Sequence, residues 1–290
     1  MNPIEIADKT PFSANVYKIS TITATGSIHT DVDLRALFDH IDVIPIDSSS
    51  PGIIFMEYGN SKSEIISKGM NYKKKNRGKD VKRFDNQATM IIKMTSDSKY
   101  FVNAKMFKNG NVQMTGIKSV NDGVSAVDIV IDMIRKTHIE KGVTSVINDI
   151  NSMMNCKYEI RLINSDFRVN FEIKREKLHA ALTENYHNKC TYEPCIYPGV
   201  KLQYFWNKQA NENGNCHCMP SCVGKGKGCG TNDCKKITVA IFQSGCVIIT
   251  GASSEEQVSE CYKYICRILE THMDDIKKRR FLPIASGAEK

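Results

Sequence analysis

The chain has 290 residues, 41% hydrophobic and 25% charged, enough to bury a sizeable core as one large domain or two modest ones. No window reaches the roughly 18 uninterrupted apolar residues of a membrane span, and the start, MNPIEIADKTPF, lacks the basic and apolar regions of a secretory signal. An intracellular, reducing setting with free thiols is therefore expected, and the net charge of +8 is compatible with a polyanionic partner without requiring one.

In chain order, an extended segment at 16–23 leads into an amphipathic stretch at 31–41, with Leu34, Leu37 and Ile41 on one side, which reads as a helix. Residues 45 to about 83 are rich in Ser, Gly, Asn and Lys, with a short apolar patch at 53–56, and are expected to form a surface excursion. The run Lys73-Lys74-Lys75-Asn76-Arg77-Gly78-Lys79, continued by Lys82-Arg83, is either a solvated loop or a phosphate-contacting or nuclear-targeting segment. Residues 100–107 alternate, Lys108-Asn109-Gly110 supplies a turn, and the strand resumes at 111–115. Gly116 ends it, Ser119 stands where a helix cap belongs, and Val124, Val127, Ile131 and Ile134 make a core-facing stripe.

The same order then recurs. An extended segment at 161–173 precedes a helix at 175–182, in which Leu178 matches Leu34. Ser253 or Ser254 precedes the acidic pair Glu255-Glu256, and Val258, Cys261, Ile265, Leu269 and Met273 form one helical stripe. Lys277-Lys278-Arg279-Arg280 closes that helix, as complement to its dipole or as a phosphate contact.

The recurrence is a duplication. Phe107-Lys-Asn-Gly-Asn-Val-Gln-Met-Thr-Gly-Ile-Lys-Ser119 lies over Phe242-Gln-Ser-Gly-Cys-Val-Ile-Ile-Thr-Gly-Ala-Ser-Ser254 without a gap, at a constant offset of 135. Six of the thirteen positions are identical and in the same order, which chance rarely supplies.

Period-two alternation assigns faces to the strands. One face is uniformly apolar: Ala88, Met90, Ile92, Met94, Val102, Ala104, Met106, Val112 and Met114 in the first repeat, and Val200, Leu202, Tyr204, Val239, Ile241, Val247 and Ile249 in the second. Helices must cover it, which gives a two-layer α+β architecture. The opposite face holds Gln87, Thr89, Ile91, Lys93, Asn103, Lys105, Phe107, Asn111, Gln113 and Thr115, then Tyr197, Lys201, Gln203, Thr238, Ala240, Phe242, Cys246, Ile248 and Thr250. These positions carry no carboxylate, several cations and amides, and a Phe at the same point of each copy, as a surface for a polyanionic partner would.

A second insertion, at about 208–235, carries Cys216-His217-Cys218-Met-Pro-Ser-Cys222, then Cys229 and Cys234. The pairs Cys218/Cys222 and Cys229/Cys234 have spacings seen in zinc sites, so these four are the expected ligands of a structural zinc ion. The alternative is an unliganded loop with incidental thiols. No nucleophile motif, clustered histidines or paired carboxylates stand out, which favours a binding protein over an enzyme.

Tyr192-Glu193-Pro194-Cys195-Ile196-Tyr197-Pro198-Gly199 and Ile241-Phe242-Gln243-Ser244-Gly245 through Thr250-Gly251-Ala252 resemble motifs of the TATA-box-binding protein family. The resemblance covers both halves, with insertions that fit a divergent member from a large DNA virus or a protist. It implies two pseudo-symmetric repeats forming a curved antiparallel sheet, a saddle, with helices on the convex face. The segments would be a tail (1–14), a first repeat (15–141), a linker (142–156), a second repeat (157–281) and a tail (282–290).

The resemblance further implies a general transcription initiation factor that binds A·T-rich promoter DNA in the minor groove, bends it and nucleates the polymerase initiation complex. The alternative is an interaction module of the same fold that has lost specific DNA binding. By position, Tyr197 and Phe242 are the wedges of the second half. Phe107 is the wedge of the first, with Gln87 at its partner's position and Phe84 a weak substitute. Thr115 and Thr250 match groove-facing threonines, and Lys93, Lys105, Gln113, Lys201, Gln203, Ala240 and Ile248 complete the expected DNA-binding face. Glu193 and Ile196 would meet transcription factors of the factor-B type. No cofactor is required, and the expected location is the nucleus or a site of viral transcription.

Overall fold

The computed structural model describes residues 10–59, 65–70, 86–95, 100–209 and 213–278. The basic run at 73–83, Phe84 and Arg279-Arg280 lie outside the described residues. The chain divides into two compact units: Thr21–Leu162, and a second made of the described residues up to Ser20 and from Ile163 onward.

The first unit is built on β1 (Lys18–Ser27), α1 (Leu34–His40), β2 (Gly52–Tyr58), β3 (Ile66–Gly69), β4 (Gln87–Lys93), β5 (Phe101–Phe107), β6 (Asn111–Ile117) and α2 (Val120–Lys141). Its strands lie in the order β3-β2-β4-β5-β6-β1, each neighbouring pair antiparallel. Ala88, Met90, Ile92, Val102, Ala104, Met106, Val112 and Met114 are all fully buried on one face. Burial of each Met or Val there stabilises the fold by about 1.5–3 kcal/mol. The helix α2 lies on this face, its Val127, Val130, Ile131 and Ile134 buried. It comes so close to β1 that a Cβ on Gly26 would stand 3.0 Å from Val127 Cγ2.

Local chemistry sets the helix starts. Asp33 accepts from the N–H groups of Arg35 and Ala36, so the helix expected from residue 31 begins at Leu34. Ser119 and Asp122 form a reciprocal capping box, at 3.2 and 2.9 Å.

The second unit is built on β7 (Cys156–Arg168), α3 (Arg175–Glu184), β8 (Lys189–Thr191), β9 (Val200–Trp206), β10 (Lys235–Ile241), β11 (Cys246–Ala252), α4 (Glu255–Thr271) and α5 (Met273–Ile276), with β7 contributing from Ile163 onward. The order is β7-β11-β10-β9-β8, again antiparallel between neighbours. Val200, Leu202, Val239, Ile241, Val247 and Ile249 are buried against α3 and α4, together with Val258, Cys261, Ile265 and Leu269 of the α4 stripe.

The offset of 135 holds in the backbone. Strands β6 and β11 begin and end 135 residues apart, as do the first residues of α2 and α4 and their caps, Ser119 and Ser254. The turn glycines Gly110 and Gly245 both have positive φ, 73° and 79°. A Cβ would strike Thr30 O at the first and come within 2.6 Å of Phe171 O at the second, so both turns require glycine.

One expectation needs correction. Residues 53–56 do not ride on an excursion; they form the centre of β2, with Ile53, Ile54 and Met56 fully buried. A register shift between Ile53 and Phe55 breaks the alternation, and both faces of the strand are covered, so the sequence shows a continuous apolar run. β2 stands in the first unit where β8 stands in the second: each follows the first helix and pairs with the next long strand.

Candidate nucleic-acid interface

In the second unit the face away from the helices is organised by backbone register. One rung runs Thr191, Lys201, Ala240, Ile248, Asp166; the next runs Lys189, Gln203, Thr238, Thr250, Asn164. At the tip beyond the first rung, Tyr197 and Phe242 lie side by side, ring centroids 5.8 Å apart and planes at 56°. Gly199 lets them meet: a Cβ there would sit 2.9 Å from the Tyr197 ring and 3.2 Å from that of Phe242. The Lys201 ammonium stands 3.9 Å from the Tyr197 ring centre, a cation–π contact that sets a positive charge beside the aromatic pair. Arg175 fixes the approach to this tip, its guanidinium donating to Pro198 O and, at 3.4 Å, to Gln243 Oε1.

The first unit repeats this frame with different side chains. Its rungs are Glu57, Thr89, Lys105, Gln113, Thr25 and Phe55, Ile91, Asn103, Thr115, Thr23. Gln113 and Thr115 are exposed, while Lys105 and Phe107 are half-buried. Phe107 borders a cleft of about 670 Å³ with Gln113, Thr25, Lys157, Glu159 and Arg161. Within that cleft Arg161 donates to Thr25 Oγ1 at 3.1 Å and pairs with Glu159 at 3.0 Å.

Four expectations change. The first concerns Gln87. Thr89 pairs with Lys105, and Lys201 pairs with Ala240, which is residue 105 shifted by 135. Gln87 is therefore the counterpart of Gly199, and the counterpart of Tyr197 is residue 85, outside the described residues.

The second concerns Lys93, which does not reach toward solvent. It is 4% exposed, and its ammonium donates to Ile46 O at 3.0 Å and Ser48 O at 2.5 Å. The segment around 44–48 and the apolar group Ile54, Phe55, Ile91 and Phe101 close that end of the face. A buried ammonium needs such acceptors, and two backbone carbonyls supply them.

The third is the absence of acids. Asp166 lies in the same rung as Ile248, accepting from Ser20 Oγ and pairing with Lys18 at 3.6 Å. Glu57 and Glu159 lie on the first unit's face. Register shifts in the pairings of β1, β2 and β7 interrupt simple alternation, so these side chains, with Asn164 and the β1 threonines, reach the face through register rather than through an unbroken period of two.

The fourth is the cysteine set. The sulfurs of Cys216, Cys218, Cys222 and Cys234 lie within 4.8 Å of one another, whereas Cys229 is exposed and apart from them. Asp233 turns the Cys229 segment outward, accepting from the N–H groups of Cys229 at 2.9 Å and Lys227 at 3.0 Å. Burial raises the Cys216 thiol, but N–H donors from Cys218 and Cys222 outweigh it and bring the thiol down to about 7. Burial pushes Cys234 up. Cys218 and Cys234 pack on Phe205, which shares the outer face with Lys201 and Gln203.

The other second-half residues stand where alternation put them: Gln203, Ile248 and Thr250 are half-exposed, Lys201 is exposed, and Ala240 is nearly covered by its neighbours. Glu193 and Ile196 are exposed on the turn before Tyr197, Ile196 at 80%. No helix among the described residues is long and apolar enough to cross a membrane.

A duplicated strand–helix unit, with helices on one face and an aromatic-tipped, mainly polar face opposite, defines the class. The family model described as transcription factor TFIID (or TATA-binding protein, TBP) matches residues 147–272. A TATA-box-binding protein-like protein of Acanthamoeba polyphaga mimivirus is 28% identical over 271 residues, covering 92% of this chain and 68% of that protein. The solved structure of Methanococcus jannaschii TBP aligns at 18% identity with a TM-score of 0.48, covering 89% of this chain and 99% of that one. The chain is thus similar to the TATA-binding protein family over residues 147–272, and to the mimivirus TATA-box-binding protein-like protein over most of its length.

Proposed function

We propose that the outer faces of the two units bind double-stranded DNA through the minor groove and that the chain acts in transcription initiation, on A·T-rich promoters and with partners of the factor-B type. The observation that carries this reading is the Tyr197–Phe242 pair, two rings held together at the sheet tip with the Lys201 cation beside them. Aromatic or apolar side chains projecting from such a face wedge between base steps and kink the duplex, while neighbouring cations hold phosphates. The threonine, amide and small apolar side chains between them are uncharged groups that lie flat against sugars and base edges. Glu193 and Ile196, exposed on the adjoining turn, supply a protein-binding corner of mixed polarity.

The test is a bending assay on A·T-rich and G·C-rich duplexes carrying fluorophores at their ends. Bending of the A·T-rich duplex, reduced by Phe242→Ala more than affinity is, supports the reading; binding with no change in energy transfer overturns the wedge. The carboxylates Asp166 and Glu159 favour a second reading, an interaction module of the same fold whose outer face meets a protein. Failure to bind either duplex at low salt would favour that alternative.

A further inference from the structure

We infer that Cys216, Cys218, Cys222 and Cys234 form a tetrahedral thiolate site for one structural zinc ion, which ties the β9–β10 connection to the sheet. The distances carry it. Cys216 and Cys222 sulfurs are 3.6 Å apart, Cys218 and Cys234 3.5 Å, and Cys216 and Cys234 3.9 Å. With zinc–sulfur bonds of about 2.3 Å, the edges of a sulfur tetrahedron are about 3.8 Å. A disulfide would require about 2.05 Å, and all four thiols are free.

The surroundings fit a thiolate cluster. Backbone N–H groups of Cys218 and Cys222 donate to the Cys216 sulfur, and Asn207 Nδ2 approaches the Cys234 sulfur at 3.8 Å while bonding Gly230 O at 2.8 Å. Such donors orient ligands and offset the negative charge of a site with four thiolates around a dication. Lys225, Lys227, Lys235 and Lys236 are carried by the same loop and strand.

The loop also has a need for the ion. Residues 213–234 contain no helix or strand, are rich in glycine, and bury little besides the cysteines themselves on Phe205. Three ligands come from the start of this segment and the fourth from its end beside β10, so one ion fastens both ends. Metal binding of this kind supplies folding free energy that a small apolar cluster cannot.

The experiment uses the full chain, prepared with a phosphine reductant and without chelator, and measures metal by elemental analysis. About one zinc per chain is expected, against less than about a tenth of an equivalent if the site is not a metal site. Cys222→Ser and Cys234→Ser should lose the metal while Cys229→Ser keeps it. Equal loss from Cys229→Ser, or a wild-type chain with all thiols reactive and no metal, overturns the assignment. Because the serine variants can misfold, cobalt(II) is also substituted into the wild-type chain. Tetrahedral cobalt–thiolate absorption supports the site, and an octahedral spectrum rejects it.

Discussion

Gln87 pairs directly with Phe107 across β4 and β5, in the place that Gly199 occupies beside Phe242. In the second unit the missing side chain leaves room for a second ring; in the first, an amide lies next to Phe107. Phe107→Ala should therefore reduce duplex bending less than Phe242→Ala, because Phe242 acts with Tyr197 as a pair. Energy-transfer bending on the same duplex checks this, and equal losses would show that pairing of the rings is irrelevant.

Lys105 and Lys93 separate charge from structure. Lys105→Ala should lower the slope of log affinity against log salt by about one counterion. Lys93→Met should leave that slope unchanged and destabilise the fold by about 1–3 kcal/mol, since Ile46 O and Ser48 O lose their donor. Salt titrations and urea denaturation read the two effects separately. A reduced salt slope for Lys93→Met would mean that its ammonium reaches phosphate.

Asp166→Asn removes a negative charge from the rung that holds Ala240 and Ile248. If a duplex lies there, its affinity should rise, on the order of a few-fold at low salt, and the gain should shrink at high salt as screening grows. Fluorescence anisotropy at two ionic strengths decides it. No change at either would place the DNA off this rung.

Gly245 and Gly142 both have positive φ, but only Gly245 is crowded, by Phe171 O and Val169 O. Gly245→Ala should cost more than about 1 kcal/mol, exceeding Gly142→Ala, which faces open space and carries backbone strain alone. Comparison of thermal midpoints measures the difference, and equal shifts would refute the crowding argument.

The legible parts of the sequence were those where one physical rule acts alone. Ser119 with Asp122, the turn at Gly110, and the alternation of 102, 104 and 106 follow from capping, positive φ and a sheet covered on one side. Reading failed where two effects overlapped. β2 is bulged and covered on both faces, so it showed no period. Lys93 alternates correctly but is roofed by residues from 44 to 48, a contact about 45 residues away in sequence that no local pattern encodes. The one-residue gap between Cys216 and Cys218 is shorter than usual ligand spacing, while Asp233 draws the better-spaced Cys229 away. In the candidate site, the aromatic pair was legible from motif and alternation; the polar rungs were not, because β1, β2 and β7 reach them only through register.

The shared offset between β6 and β11 makes the two repeats interchangeable scaffolds. Their turn glycines and capping serines fill equivalent backbone positions, yet Lys105 faces out where Ala240 does, and Gln113 where Ile248 does. What holds each repeat together is thus separable, residue by residue, from what each presents. One ancestral half can thus diversify into two unlike outer faces without rebuilding either. For the engineer, the same correspondence is a transplant map: a side chain moved by 135 positions from β5 or β6 arrives on β10 or β11, in the equivalent register and facing the same way.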